Sequence, residues 1–410
     1  MKPTITRQIP RYNPIGDEEL AAAASVIASG KLSGFIGSWC PEFYGGSEVQ
    51  SFENEVESKF GVNFAVAVNS WTSGLIAAIG ALDIEPGDEV IVPTWTMSAT
   101  AMAALHWNAI PIFADIDSDT FCISPKSVKE NISDKTKAII AVDIFGQSAD
   151  IQSIRKVIGN REIAIISDSA QAPGAQTNGL WAGTLADIGG FSLNYHKHIN
   201  TGEGGILVTN DSDLARRLQL LRNHAESVVE GMGVTKINNM IGFNFRMGEI
   251  EAAIGREQLR KLDKLVEKRT LLANRLSEGL QSLEGLKTPK AREGSTHVYY
   301  KYALTVNQEL DRNKVFRLLQ IEGVPGLSTK YVNLHLLPVF QKKMAYGTKG
   351  FPWSHVDARK GINYGKGICP NAELMQDATY LGIDLCEYDF SMEDIDAIVE
   401  AFHKVWKFIL

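Results

Sequence analysis

At 410 residues, 44% hydrophobic and 22% charged, the chain has the composition of a globular protein large enough for two domains and a substantial core. A net charge of −7 leaves no basic excess to neutralise a phosphate backbone, which argues against a nucleic-acid partner. No apolar run reaches the roughly 18 residues that span a membrane. The first residues lack the apolar core of a secretory signal, and Cys40, Cys122, Cys369 and Cys386 have neither metal-knuckle nor redox spacing, so a reduced cytoplasmic protein is expected.

Residues 1–15, with three prolines, read as irregular. A helix is predicted from Asp17, whose neighbours Glu18 and Glu19 suit the positive end of the helix dipole. Residues 30–47 form a loop rich in glycine and aromatics, which either covers a site or is stapled to its own core by Trp39, Phe43 and Tyr44. A helix from about Glu48 to Phe60 follows. Seven short apolar runs then come in succession: FAVAVNS, EVIVPTW, IPIFADID, TKAIIAVDIFG, AIISDSAQ, DIGGFSLN and GGILVTN. Several are separated by helical stretches, including one expected over Thr96–Trp107. Continuous apolar strands of this kind indicate a mostly parallel seven-stranded sheet covered by helices on both faces, an α/β fold. A helix over 211–224, a loop over 240–248 and a long helix from Glu249 to Leu280 come next. The remainder, with a strand at YYKYALTV, a helix after Asp311 and a last helix from Ser391, reads as a smaller α+β unit. The expected division is a large domain over 1–270 and a small one over 271–410.

The polar residues of interest follow the strands, where open α/β sheets bind ligands. Ser70-Trp71-Thr72 begins a helix, a place where free N–H groups and the dipole suit a phosphate. Asp168 ends the fifth strand, three residues before Gln171; an aspartate is what the ring nitrogen of a pyridoxal needs opposite it. Ser192 and Asn194 precede Lys197, which stands five residues ahead of Gly202-Glu203-Gly204-Gly205. A lysine held before a tight turn is placed at a fixed point, and lysine is the side chain that condenses with carbonyl compounds. Asn244 and Arg246 lie in the GFNFRM loop.

Several motifs in order, AVAVNSWTSGL, PGDEVIVPTWTMSATA, DIDSDTF, TKAIIAVDIFGQSADI, ISDSAQAPGA, FSLNYHKHINTGEGG, LRNHAES and GFNFRMGEIEAAIG, resemble the sugar aminotransferases of the DegT/DnrJ/EryC1/StrS group, from about Arg11 to the last helix. The resemblance implies the type I fold of pyridoxal-phosphate enzymes. Lys197 would hold the cofactor and move the proton, Asp168 would face the ring nitrogen, and Gln171 the ring oxygen. Ser70, Trp71, Thr72 and Ser192 would bind the phosphate, joined by Asn244 from the partner subunit of a homodimer with shared sites. Met97 or Trp95 would lie on the ring, and His335, Tyr331 and His198 would face the substrate. The expected reaction transfers an amine from L-glutamate to a keto sugar, commonly nucleotide-linked, for cell-surface polysaccharide or secondary-metabolite synthesis. Lys330, Arg222 and His224 could supply charge to a nucleotide groove but read more readily as solvated surface residues. Two departures stand out: the group often has S-G-T where this chain has Ser70-Trp71-Thr72, and the stretch 35–47 is longer than usual. A dehydratase branch carries histidine at the lysine position; Lys197, though flanked by His196 and His198, favours transamination.

Overall fold

The computed structural model describes residues 3–410, so the first two residues of the irregular N-terminal stretch lie outside the described part. The seven apolar runs form one sheet: β1 (Phe64–Val68), β2 (Glu89–Pro93), β3 (Ile110–Ala114), β4 (Thr136–Val142), β5 (Ala164–Asp168), β6 (Ile188–Ser192) and β7 (Gly205–Thr209). Their spatial order is β1-β7-β6-β5-β4-β2-β3. The pairs among β2 to β6 are parallel, whereas β7 runs antiparallel to both β1 and β6. Two antiparallel steps restore the direction, so β1 points the same way as β5 and β6.

Alternation along the strands explains why both faces must be covered. In β1, Ala65 and Ala67 enter one apolar cluster with Phe52, Val56 and Phe60 of the helix Ser47–Phe60. Val66 and Val68 enter the opposite cluster, with Leu75 and Ile79 of the helix Trp71–Ala81. Side chains alternate across a strand, so a sheet apolar on both faces is stable only between two helical layers.

A second, antiparallel sheet of four short strands runs in the order 286–287, 302–306, 380–383, 327–328. The 32-residue helix Glu249–Leu280, about 48 Å long at 1.5 Å per residue, serves both cores. Its Ala252, Leu259 and Leu262 pack under the large sheet, and its Leu272, Leu276 and Leu280 pack with the second core. The division expected at 270/271 falls inside this continuous helix. It also assigned the N-terminal segment to the larger unit, but Ile5 and Ile9 sit in the second core, and Ile5 N–H donates to the Glu322 carbonyl at 2.9 Å.

One local expectation differs, and one open alternative is decided. The helix expected from Thr96 starts at Ala99, because Trp95 is held extended by a bridge to Asn333. The loop over 30–47 is stapled to its own surroundings: Phe43 is fully buried and makes edge contacts with Trp39 and Tyr44, while Asn223 Nδ2 donates to the carbonyls of Ile36 and Phe43 at 3.0 Å.

Arg222 is no surface residue. It is fully buried, and its guanidinium donates to Glu53 Oε1 at 2.5 Å and to the Ala67 carbonyl at 3.0 Å. Burial pushes the Glu53 carboxyl up while Arg222 pulls it back. Breaking a buried pair from one side strands a charge, so Arg222→Leu should cost about 3–5 kcal/mol. Urea denaturation of the two proteins measures this; a loss under about 1 kcal/mol, the scale of an exposed pair, would mean that Glu53 simply takes up a proton.

Candidate active site

Because β1, β5 and β6 run the same way, their C-terminal ends meet at one edge of the sheet. Asp168 closes β5 and pairs in register with Gly190 of β6. Ser192 ends β6, and Ser70 follows β1 as the N-cap of the helix Trp71–Ala81, its Oγ accepting from the Ser73 N–H at 3.1 Å. The first N–H groups of that helix have no partner within it. The backbone of β7 approaches this turn so closely that a Cβ on Gly205 would sit 2.7 Å from the Trp71 nitrogen. Only glycine permits that approach.

Lys197 follows β6 in a turn closed by its own N–H donating to the Asn194 carbonyl at 2.9 Å. The side chain is 7% exposed, and its amine lies 4.4 Å from the centre of the Tyr300 ring. Among the described residues no carboxylate is in ion-pair contact with it. Burial therefore brings the amine down from 10.5 to about 8, with the Asp168 charge acting in the opposite direction. A primary amine that is part neutral near pH 8 is suited to attack a carbonyl and to carry a proton.

Asp168 is 4% exposed. Its Oδ1 accepts from the Trp71 indole N–H at 2.6 Å and from the Ala170 N–H at 3.3 Å; its Oδ2 accepts from the Thr100 hydroxyl at 3.1 Å. Burial pushes this carboxyl up, and the three donors together with Lys197 oppose the rise. A second carboxylate, Asp143, lies behind it, accepting from the Ala149 N–H at 2.7 Å and from the Ser167 and Ser169 hydroxyls; burial raises it to about 6. Gln171 is oriented from both ends: its Oε1 accepts from the Phe145 N–H at 2.8 Å, and its Nε2 donates to the Tyr331 hydroxyl at 3.1 Å.

The structure thus brings Ser70, Trp71, Thr72, Asp168, Gln171, Ser192 and Lys197 to one edge, with Tyr331 attached through Gln171. Asn244 is exposed in its loop, and Met97 is 61% exposed. Three expectations need correction. Trp95 is fully buried, stacked on Tyr331 with rings 6.3 Å apart, so it presents no face to a ligand. His198 is fully buried with Nε2 2.8 Å from the Val298 carbonyl, and burial keeps it neutral. His335 is fully buried as well, its Nδ1 2.5 Å from the Thr94 hydroxyl and its Nε2 3.0 Å from Glu373 Oε1, which makes it a tie between chain segments. Thr100, Phe145 and Tyr300 were not foreseen. Thr100 lay in a quoted motif, TMSATA, but nothing in its spacing announced a contact with Asp168.

A cavity of about 510 Å³ is lined by Tyr12, Tyr195, His196, Tyr300, Lys301 and Asp384, among others; it adjoins Lys197 through His196 and Tyr300, while Lys197, Asp168 and Gln171 do not line it. Lys301 is paired with Asp384. The cleft is therefore walled partly by the N-terminal segment and the second sheet. The donor set fits pyridoxal phosphate: a desolvated amine for the aldehyde, a buried carboxylate for the ring nitrogen, an amide near it and a helix N-terminus for the phosphate. The Asn194 Oδ1 is buried without a partner at the same edge, which leaves an acceptor for a further group.

Comparison with known proteins gives the same assignment. Residues 38–364 match the DegT/DnrJ/EryC1/StrS aminotransferase family. The spore coat polysaccharide biosynthesis protein SpsC of Bacillus subtilis is 32% identical over 96% of this chain and 95% of its own. The UDP-N-acetyl-3-dehydro-alpha-D-glucosamine 3-aminotransferase of Acidithiobacillus ferrooxidans is 36% identical over 76% of this chain and 79% of its own. Among solved structures, an aminotransferase from Psychrobacter cryohalolentis superposes with a TM-score of 0.84 at 27% identity, covering 98% of this chain and all of that one. The chain belongs to the DegT/DnrJ/EryC1/StrS family of pyridoxal-phosphate-dependent aminotransferases.

Proposed function

We propose that the protein transfers an amino group from L-glutamate to a nucleotide-linked keto sugar, and so makes an amino sugar for a surface polysaccharide or a secondary metabolite. The observation that carries this is the desolvated Lys197 amine set beside buried Asp168 at the sheet edge. The names of the relatives support a sugar acceptor. A lysine at this position supports amine transfer over loss of water.

Bound pyridoxal phosphate supplies an electron sink that lets a proton leave the carbon bearing the amine. The chain's residues do the rest. Lys197 takes that proton at Nζ and returns it, a role that needs the amine neutral first and charged afterwards. Asp168 holds negative charge where the ring nitrogen must stay protonated, and its donors keep the carboxylate ionised against burial. Gln171, fixed by Phe145 and Tyr331, offers its amide to the ring oxygen. The free N–H groups after Ser70 hold the phosphate, with Ser192. Met97, whose thioether is exposed, is the side chain that would lie on the ring. Exposed Asn244 would reach the phosphate in the other subunit of a homodimer, and the reduced cysteines suit a cytoplasmic enzyme.

Lys197→Ala should lower turnover by at least about 10²-fold, the smaller end of what one positioned proton-transfer group contributes. Purified protein loaded with pyridoxal phosphate should lose its visible absorbance on adding L-glutamate, with release of 2-oxoglutarate; a band unmoved by glutamate or any other amino acid would sink the proposal. Covalent capture of pyridoxal phosphate by the cofactor-free protein needs the neutral amine. Its rate should therefore rise with pH and level off above about 8, not continue toward 10.5. Asp168→Asn removes the charge that favours the ammonium, so the plateau should begin at a lower pH.

A further inference from the structure

Trp71 stands where the family often has glycine, and its side chain is not merely fitted into the core. The indole lies in a slot made by missing side chains. A Cβ on Gly190 would sit 2.4 Å from its Cζ3, and one on Gly74 would sit 2.9 Å from its Cε3. Trp71 itself is 6% exposed, and its one polar atom, Nε1, is spent on Asp168 Oδ1 at 2.6 Å. Among the described residues no other side chain reaches that oxygen; its second donor is the Ala170 N–H at 3.3 Å. The two oxygens are thereby made unequal. Oδ1 carries two donors and is saturated, while Oδ2 carries only the Thr100 hydroxyl and keeps room for one more.

Building on the proposed function, we propose that Trp71 is a positioning residue for cofactor binding: its indole N–H locks the rotation of the Asp168 carboxylate and leaves Oδ2 as the oxygen offered to the ring nitrogen. The bond is short and made to a charged acceptor in a site from which water is excluded, the setting in which a hydrogen bond is strongest. The donor is carried on a rigid bicyclic ring whose orientation is held by close packing against Gly74 and Gly190. The ring sets the need for glycine at position 74, and at position 190 it shares that need with the Ile206 carbonyl, 2.2 Å from where a Cβ would sit.

The test uses cofactor-free and loaded protein. In the cofactor-free protein, one of the seven tryptophan indole N–H signals should be protected from solvent exchange, vanish in Trp71→Phe and move in Asp168→Asn. An indole N–H of Trp71 that exchanges freely, or does not respond to Asp168→Asn, overturns the proposal. For the loaded protein, Trp71→Phe should weaken pyridoxal phosphate binding roughly tenfold or more, as expected for a lost hydrogen bond to a charged group. The pH at which the visible band changes should also shift, because the indole N–H is one of the donors that hold the Asp168 carboxyl down against burial. Trp71→His, which keeps a ring N–H, should recover part of the affinity. Equal affinity and an equal pH midpoint in Trp71→Phe overturn the proposal while leaving the aminotransferase reading intact. Failure of the unmodified protein to bind pyridoxal phosphate would instead remove that reading, with the cofactor-free measurement still deciding the indole bond.

Discussion

The site depends on keeping two ionisable groups dry at one edge of a sheet. Water would hold the Asp168 carboxylate and the Lys197 amine charged and indifferent to each other. Burial raises the first and lowers the second, so each group is moved toward neutrality, and each partly restores the other's charge. The balance struck is unequal. Asp168 has three donors to keep it ionised, whereas Lys197 has an aromatic face and no carboxylate in contact. An anion that stays charged and a base that can lose its proton are the two properties that transamination asks of its protein.

Strand direction makes this pairing possible. One antiparallel strand, β7, is inserted between β1 and β6, and the two reversals bring the end of β1 to the same edge as the ends of β5 and β6. The Gly205 backbone then passes so close to Trp71 that a side chain there would collide with the turn that follows β1. The second core contributes differently. Tyr300, Lys301 and Asp384 line the cleft, and the N-terminal segment, packed on that core through Ile5 and Ile9, adds Tyr12. The long helix Glu249–Leu280 joins both cores without a break, which ties the cleft's two walls together.

Buried polar groups away from the site show the same economy of pairing. Arg222 with Glu53, and His335 with Thr94 and Glu373, hold segments far apart in sequence. Each had looked like a surface or substrate residue, because a charged or titratable side chain near a motif invites a functional reading. Their burial is set by segments more than a hundred residues away for Arg222, and by segments 241 and 38 residues away for His335.

By itself the sequence determined the seven strands and the bounds of the long helix, and it singled out Lys197, Asp168 and Gln171 as candidates. These depend on local information: apolar runs of strand length, caps and turns, and motifs whose members are close along the chain. Tertiary structure alone decided which aromatic side chain is free to meet a ligand, since Trp95 and Met97 are two residues apart yet one is fully buried and the other 61% exposed. It alone also decided that His198 faces the Val298 carbonyl, that Thr100 supports Asp168, and that the Trp71 indole does so too. Those contacts join residues from 68 to 100 positions apart, and spacing along a chain says nothing about such distances until the sheet order is known.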